Sequence, residues 1–277
     1  MQIKLAKSYG FCFGVKRAIE IAENSRGAVT YGPLIHNPLE INRLKENYNV
    51  GLVNSLDEIN SNKVIIRTHG ITKDDKEKLL SQNKILIDAT CPFVTKPQEI
   101  VEEMSKKGYD IVIFGDINHP EVKGVKSYSI NQDRTFVVLN IDEVKKIKLK
   151  EKIAVVAQTT RKVSQFLEIV NYLISNHKEV RVFNTICNAT FENQDAVREL
   201  SKESDVMIII GGKNSSNTKQ LYLIAKENCN DSYLVENATE VKSEWFENKN
   251  LCGVSAGAST PEWLIQNIIE KIKQIKG

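Results

Sequence analysis

The chain has 277 residues, 41% of them hydrophobic, and a formal net charge of +3. This length and apolar content are enough for one large domain or for several small ones. The nearly balanced charge does not favour a nucleic-acid-binding protein, and no apolar run is long enough to span a membrane. Five cysteines, with no export signal before the first strand, favour reduced thiols or metal ligation over disulfides, and a cytoplasmic location.

Short apolar strands alternate with amphipathic helices along the chain. The first predicted strand contains Ile3 and Leu5, and a helix follows the turn at Gly10–Gly14. Continuous buried strands alternating with helices are typical of parallel sheets that are covered by helices on both faces. The sequence therefore predicts an α/β fold, with further strands at residues 28–31, 64–66, 84–90, 111–114, 136–139, 153–157, 180–186, 206–210 and 251–255.

Three cysteines, Cys12, Cys91 and Cys187, each follow a predicted strand and precede a predicted helix. One such residue would be read as an ordinary buried thiol, but three at equivalent junctions favour metal ligation and three similar α/β units. Structural zinc sites usually use closely spaced ligand pairs, whereas three thiolates on a four-iron cluster leave one iron open to substrate. Cys229 and Cys252 lack this context and are expected to be structural.

The loops that follow the predicted strands carry three of the four histidines, His36, His69 and His119. In parallel α/β folds, ligands bind outside the carboxyl ends of the strands, so these side chains are candidates for phosphate binding or proton transfer. Glu121 follows in the same loop as His119. It is either a surface carboxylate after a proline turn or an enclosed acid with a raised pKa, and its spacing leaves both readings open.

Hydroxyl and amide side chains follow Gly211-Gly212 and precede a predicted helix. Ser215, Ser216 and Asn217 would form an oxyanion cradle with the backbone N–H groups of the helix start, although a helix cap needs only one such residue. Ser259 is first a capping-box residue and a phosphate contact only if it faces the same site. Thr159 has a similar ambiguity.

Nine motifs, spread in order over nearly the whole chain, together resemble the 4-hydroxy-3-methylbut-2-enyl diphosphate reductases. They are Gly10-Phe11-Cys12-Phe13-Gly14-Val15, Gly32-Pro33-Leu34-Ile35-His36-Asn37, Arg67-Thr68-His69-Gly70, Asp88-Ala89-Thr90-Cys91-Pro92, His119-Pro120-Glu121-Val122, Gln158-Thr159-Thr160, Thr185-Ile186-Cys187-Asn188-Ala189-Thr190, Lys213-Asn214-Ser215-Ser216-Asn217 and Ala256-Gly257-Ala258-Ser259.

The resemblance implies three similar small α/β units with mostly parallel sheets, arranged as a pseudo-threefold trefoil around a central [4Fe-4S] cluster. The units would cover residues 13–90, 91–186 and 187–277, and the N-terminal strand in residues 1–12 would join the third. It further implies a monomer in the cytoplasm that binds a small diphosphate substrate and accepts electrons from a donor such as ferredoxin or flavodoxin. Nucleic acid and membrane are not expected partners.

The implied reaction is reductive dehydroxylation of 4-hydroxy-3-methylbut-2-enyl diphosphate to isopentenyl and dimethylallyl diphosphate, with the substrate hydroxyl on the open iron. This is the terminal step of the non-mevalonate isoprenoid pathway. The implied site residues are the cluster ligands Cys12, Cys91 and Cys187, the catalytic residues Glu121, His119 and Thr159, and the substrate-binding residues His36, His69, His119, Thr159, Ser215, Ser216, Asn217 and Ser259.

Two competing functions fit part of the pattern. A three-unit iron–sulfur dehydratase resembling quinolinate synthase would share the cysteine arrangement but would not account for the histidine, serine and asparagine set. A zinc-stabilised phosphate-binding module would account for the polar loops without any catalysis.

Overall fold

The computed structural model describes residues 1–35 and 37–276, apart from the side chains of Thr190, Ser216 and Lys276. The chain divides into two compact units. The terminal unit contains Met1–Arg17, Ile35–Leu44 and Asn188–Gly277, and the middle unit contains Ala18–Leu34 and Lys45–Cys187. Among the described residues, no helix has both the length and the apolar composition needed to cross a membrane.

Strands and helices alternate along the chain. The strands are β1 (Gln2–Leu5), β2 (Val29–Tyr31), β3 (Gly51–Val53), β4 (Lys63–Ile66), β5 (Ile85–Asp88), β6 (Asp110–Phe114), β7 (Thr135–Val138), β8 (Lys152–Ala157), β9 (Glu179–Val182), β10 (Val206–Ile210), β11 (Ser232–Val235) and β12 (Leu251–Ala256). The helices are α1 (Phe13–Glu23), α2 (Pro38–Tyr48), α3 (Lys73–Ser81), α4 (Pro92–Lys106), α5 (Pro120–Ser127), α6 (Ile141–Lys145), α7 (Val163–Asn176), α8 (Ala189–Glu203), α9 (Ser216–Asn228) and α10 (Glu262–Lys276).

The middle unit contains two parallel four-stranded sheets. Their strand orders are β3-β2-β4-β5 and β7-β6-β8-β9. Every residue of the central strand β6 is buried, and Phe114 at its end stacks on Phe166 of α7 with 6.2 Å between ring centroids. Strands buried on both faces need helices above and below them, which explains the alternation of elements in the sequence.

The terminal unit contains one parallel sheet with the strand order β1-β12-β10-β11. The N-terminal strand lies at its edge, with Gln2 paired to Leu251 and Leu5 to Val254. Helices α8 and α9 pack on one apolar cluster that contains Leu200 and Leu221, while α10 belongs to another with the buried faces of β10 and β12. The domain boundaries at residues 90 and 186 stay a prediction.

The helices predicted after the three cysteines are confirmed, but the strands predicted before Cys91 and Cys187 are too long, and the first of them ends at Asp88. Helices α1 and α4 begin directly after Cys12 and Cys91, and α8 begins two residues after Cys187. The strand predicted over residues 180–186 ends at Val182, so Cys187 follows an irregular segment rather than the strand itself. Within that segment the Thr185 hydroxyl donates to the Ala157 carbonyl at 2.6 Å, which holds it at the end of β8 without ladder pairing.

Candidate functional site

The carboxyl group of Glu121 lies buried in the first turn of α5, with only 1% of the residue exposed. Both of its oxygens accept hydrogen bonds from Thr159 at the end of β8. The Thr159 N–H donates to Oε1 at 2.7 Å, and the Thr159 hydroxyl donates to Oε2 at 2.7 Å. Burial raises the pKa of Glu121 to about 7, against the two Thr159 hydrogen bonds and the charge of Arg161, which lower it. The group is therefore able to hold or release a proton near neutral pH.

The imidazole rings of His69 and His119 lie edge to face, with 5.5 Å between their centroids. His119 caps α5, and its Nδ1 accepts a hydrogen bond from the Glu121 N–H at 3.2 Å. Because Nδ1 is an acceptor there, the proton of a neutral His119 is on Nε2, which makes Nε2 the hydrogen-bond donor of this ring. Two histidines and a carboxyl group with a raised pKa thus belong to the same part of the middle unit.

The loops of this site are tied to the two cysteines of the middle unit by backbone hydrogen bonds. The Cys91 N–H donates to the carbonyl of Thr68, the neighbour of His69, at 3.0 Å. The Cys187 N–H donates to the carbonyl of Thr159 at 2.8 Å. Cys91 is also the N-cap residue of α4, and Pro92 occupies the first helical position, where its missing N–H costs nothing.

The side chain of Gln158 joins the same loops by hydrogen bonds. The sequence motifs contain this residue but do not predict a role for it. Its Oε1 accepts from the Asp116 N–H at 3.0 Å, and its Nε2 donates to the Thr160 hydroxyl at 3.1 Å. A Cβ on Gly115 would lie 2.7 Å from Val122 and 3.0 Å from Gln158, so only glycine fits beside this amide. The sequence signal for this contact was the glycine at Gly115, four positions before His119, together with Gln158 directly after a predicted strand.

In the terminal unit, Cys12 lies beside the loop that follows β12. Its N–H donates to the Ala258 carbonyl at 3.3 Å, and the Gly10 N–H donates to the Ala256 carbonyl at 3.0 Å. Ser259, the next residue of that loop, is a sequence-predicted substrate contact. The backbone thus brings a predicted cluster ligand and a predicted substrate-binding residue next to each other within this unit.

The N-terminus of α9 combines a cap with buried groups that lack hydrogen-bond partners. Ser215 is the N-cap residue, and its hydroxyl oxygen accepts from the Thr218 N–H at 3.2 Å. The amide oxygen and nitrogen of Asn217 are both buried without a hydrogen-bond partner among the described residues. Unsatisfied buried amide groups are costly, so a ligand that pairs with them would be favoured there. His36 lies outside the described residues, as does the side chain of Ser216.

The five cysteines, all reduced, fall into two groups by exposure. Cys229 and Cys252 are buried in the terminal unit, and burial raises the pKa of Cys252 to about 12, which makes it a poor ligand. Cys12, Cys91 and Cys187 are half-exposed. Within the described part of the chain, no three histidine, cysteine, aspartate or glutamate side chains form a group that could hold a metal ion. Three thiols are the kind of donor set that an iron–sulfur cluster takes.

Comparison with known proteins identifies the family. The family model described as LytB protein matches residues 3–273. The chain belongs to the LytB family. It is 68% identical over 277 residues to the 4-hydroxy-3-methylbut-2-enyl diphosphate reductase of Nautilia profundicola, an alignment that covers 99% of this chain and 100% of the relative. The family membership confirms the resemblance found in the sequence motifs.

Two solved structures of the family share the fold. One is (E)-4-hydroxy-3-methyl-but-2-enyl diphosphate reductase, the terminal enzyme of the non-mevalonate pathway, which is 42% identical with a TM-score of 0.80 over 99% of this chain and 100% of that chain. The other is the E-1-hydroxy-2-methyl-but-2-enyl-4-diphosphate reductase of Plasmodium falciparum, 28% identical with a TM-score of 0.84 over 97% and 86% of the two chains. These matches confirm the predicted α/β fold class.

Proposed function

We propose that this protein reduces 4-hydroxy-3-methylbut-2-enyl diphosphate to isopentenyl and dimethylallyl diphosphate, the terminal step of the non-mevalonate pathway. The observation that carries the proposal is the buried Glu121 carboxyl group, which accepts two hydrogen bonds from Thr159 and lies in the first turn of the helix that His119 caps. A dehydratase resembling quinolinate synthase would not account for the histidine, serine and asparagine set, and the relatives of this chain are named as reductases.

The overall reaction adds two electrons and two protons to the substrate and releases water. The C–O bond to the terminal hydroxyl group breaks, and its oxygen leaves as water after it takes one proton. The second proton ends on either terminus of the allyl system, which gives the two isomeric products. Glu121 is suited to deliver the first proton, because its pKa of about 7 leaves about half of the group protonated at neutral pH.

Thr159 and His119 are proposed to support this proton transfer. The two hydrogen bonds from Thr159 stabilise the carboxylate that remains after Glu121 gives up its proton. The Glu121 N–H donates to Nδ1 of His119 and so fixes the ring with Nε2–H as the donor that would bind a substrate oxygen. Replacement of Glu121 by Gln should retain the cofactor and abolish turnover.

A [4Fe-4S] cluster held by Cys12, Cys91 and Cys187 would supply the electrons, one at a time, and an iron with an open coordination position as a Lewis acid. Three half-exposed thiols, two of which immediately precede helix N-termini, suit an anionic cluster. The electrons would come from a one-electron carrier such as ferredoxin or flavodoxin. We expect a monomer of three α/β units that works in the cytoplasm, where its five cysteines stay reduced.

The diphosphate group would be bound by neutral and cationic donors: His36, His69, His119, Ser215, Ser216, Asn217 and Ser259. Buried anions without hydrogen-bond donors are very costly, and this set supplies donors without a cluster of lysines. The unpartnered amide of Asn217 supports this role most directly, because a phosphate oxygen would satisfy its N–H group. Ser215 accepts from the Thr218 N–H and so keeps its own hydrogen for donation.

The proposal is tested by anaerobic oxidation of a reduced viologen dye, with and without 4-hydroxy-3-methylbut-2-enyl diphosphate. We expect oxidation that depends on the substrate and that is lost in Cys91→Ser. Protein that contains a full cluster and still oxidises no dye in the presence of substrate would overturn the proposal.

A further inference from the structure

A buried carboxylate in the terminal unit has no part in the proposed chemistry. Glu40, in the first turn of α2, is fully buried. Its Oε2 accepts from Arg43 Nε at 2.9 Å and from the Trp263 indole N–H at 2.9 Å, and its Oε1 accepts from Arg43 Nη2 at 2.5 Å. The indole bond joins α2 to the first turn of α10, although the two residues are more than 200 positions apart in the chain.

Asn37 makes a second connection of the same kind, one turn earlier. It is 5% exposed, and both ends of its amide are used. Its Oδ1 accepts from the Glu40 N–H at 3.2 Å, which caps the start of α2. Its Nδ2 donates to the carbonyl oxygen of Ser259 at 3.0 Å, in the loop that leads into α10. One side chain thus fixes both the start of the helix and the backbone of the Ser259 loop.

Stability alone does not explain this arrangement. A buried ion pair usually contributes little net stability, since the cost of removing two charges from water offsets their attraction, and an apolar pair of the same volume does as well. Directional hydrogen bonds and ion pairs instead fix the relative positions of the segments that they join. Here the segment whose geometry is defined carries a proposed diphosphate ligand, because the bond from Asn37 holds the backbone of Ser259 directly.

We infer that Asn37 is a positioning residue for the diphosphate group, and that Glu40, Arg43 and Trp263 form a latch that keeps it in place. Asn37 holds the Ser259 backbone, so that the serine side chain is set before substrate binds, and the latch fixes the helix on which Asn37 acts. Binding to a preset site avoids the cost of ordering the loop. The inference rests on the proposed function, because it takes Ser259 as a substrate contact.

The variant that separates the two roles of Asn37 is Asn37→Ser. Serine is a good cap residue and retains an oxygen for the Glu40 N–H, but its side chain is too short to reach the Ser259 carbonyl. The matched control is Asn228→Ser in the same unit, which also removes an amide donor from a backbone carbonyl, that of Ile224 at 3.0 Å. Each holoenzyme is assayed for KM and kcat with the substrate, and for the Kd of inorganic diphosphate by calorimetry.

For Asn37→Ser we expect KM and the diphosphate Kd each to rise about tenfold, as for the loss of one well-placed contact, with kcat within about twofold of the wild type. Asn228→Ser should leave all three values unchanged. Unchanged KM and Kd in a folded Asn37→Ser protein would overturn the inference while leaving the proposed function intact. A wild-type protein with no turnover would instead refute the proposed function, and the diphosphate Kd values would still decide the inference.

If Asn37→Ser does not fold, Trp263→Phe takes its place. This change retains the aromatic packing and removes only the N–H that binds Glu40. We expect a smaller rise in KM and in the diphosphate Kd in the same direction. Values equal to those of the wild type would overturn the role of the latch, since a purely structural contact would change the melting temperature without changing ligand affinity.

Discussion

The stability of this protein should depend on pH through Glu121. The folded-state pKa of about 7 lies above the reference value of 4.5 for the exposed group. Below pH 4.5 the carboxyl group is protonated in both states and has no effect. Between pH 4.5 and 7 the unfolded chain releases this proton while the folded protein keeps it, so the folded state loses relative stability as pH rises. Above pH 7 the carboxyl group is ionised in both states, and the folded protein has lost the full amount of stability.

The magnitude follows from the separation of the two pKa values. For each pH unit between the two pKa values, the free energy of unfolding of the wild type falls by about 1.4 kcal/mol. The total loss is therefore about 3 kcal/mol above pH 7. Glu121→Gln keeps the shape of the side chain and its ability to pair with Thr159, but it carries no charge at any pH. The stability of the variant relative to the wild type should therefore increase between pH 5 and pH 8, in the direction opposite to the usual loss on changing a buried residue.

The measurement is the thermal midpoint of both proteins at pH 5 and pH 8. A free-energy change of this size corresponds to roughly 5 °C for a protein of this length. The exposed Glu168→Gln is the control and should show no pH-dependent difference from the wild type. If the difference between Glu121→Gln and the wild type is the same at both pH values, the carboxyl group is not held protonated and its assignment as a proton donor loses its basis.

Three further outcomes are expected. Thr159→Val removes a hydroxyl donor from the Glu121 carboxylate and so raises the pKa of Glu121. The alkaline limb of the pH profile of kcat/KM should move upward by about 1 to 2 pH units. A limb that stays in place or moves down contradicts the assignment of Glu121 as the proton donor. Gly211 has a φ of +145°, and the Cβ added by Gly211→Ala would lie within 2.8 Å of two threonine hydroxyl groups. Thermal melts should therefore show a loss of stability of about 2 to 3 kcal/mol. The loss should be much smaller for Gly27→Ala, since a Cβ at Gly27 meets no atom within 4 Å. Cys187→Ser should lose iron and labile sulfide while Cys252→Ser retains both, and equal contents in the two proteins would remove Cys187 from the ligand set.

The sequence predicted the central strands and the cysteine junctions because these are local features. Val206–Ile210 and Ile111–Phe114 are continuous apolar runs, and no solvent-exposed element would carry them. The edge strands β3 and β11 were missed, since three or four residues with mixed exposure have no distinctive period. The predicted strand over residues 180–186 ran too far, because a β-type composition does not reveal where ladder pairing ends.

For the candidate site, too, only the features that depend on neighbouring residues in the sequence could be predicted. The identities of the strand-end residues could be predicted from the motifs, but the burial of Glu121 could not, because it depends on Thr159, which is 38 positions away along the chain. Glu40 gave no signal at all. A glutamate in the first turn of a helix is usually a solvated residue that interacts with the helix dipole, and only the folded chain reveals the indole and guanidinium groups that enclose it.

The central claim is the reductase activity, and the most direct test is identification of the products of one anaerobic turnover. Chemically reduced protein with a full cluster would be mixed with 4-hydroxy-3-methylbut-2-enyl diphosphate, and the quenched products would be identified by mass spectrometry and NMR. We expect isopentenyl and dimethylallyl diphosphate, both absent with Glu121→Gln. Recovery of intact substrate, or of a product that has lost water without gaining electrons, would contradict it.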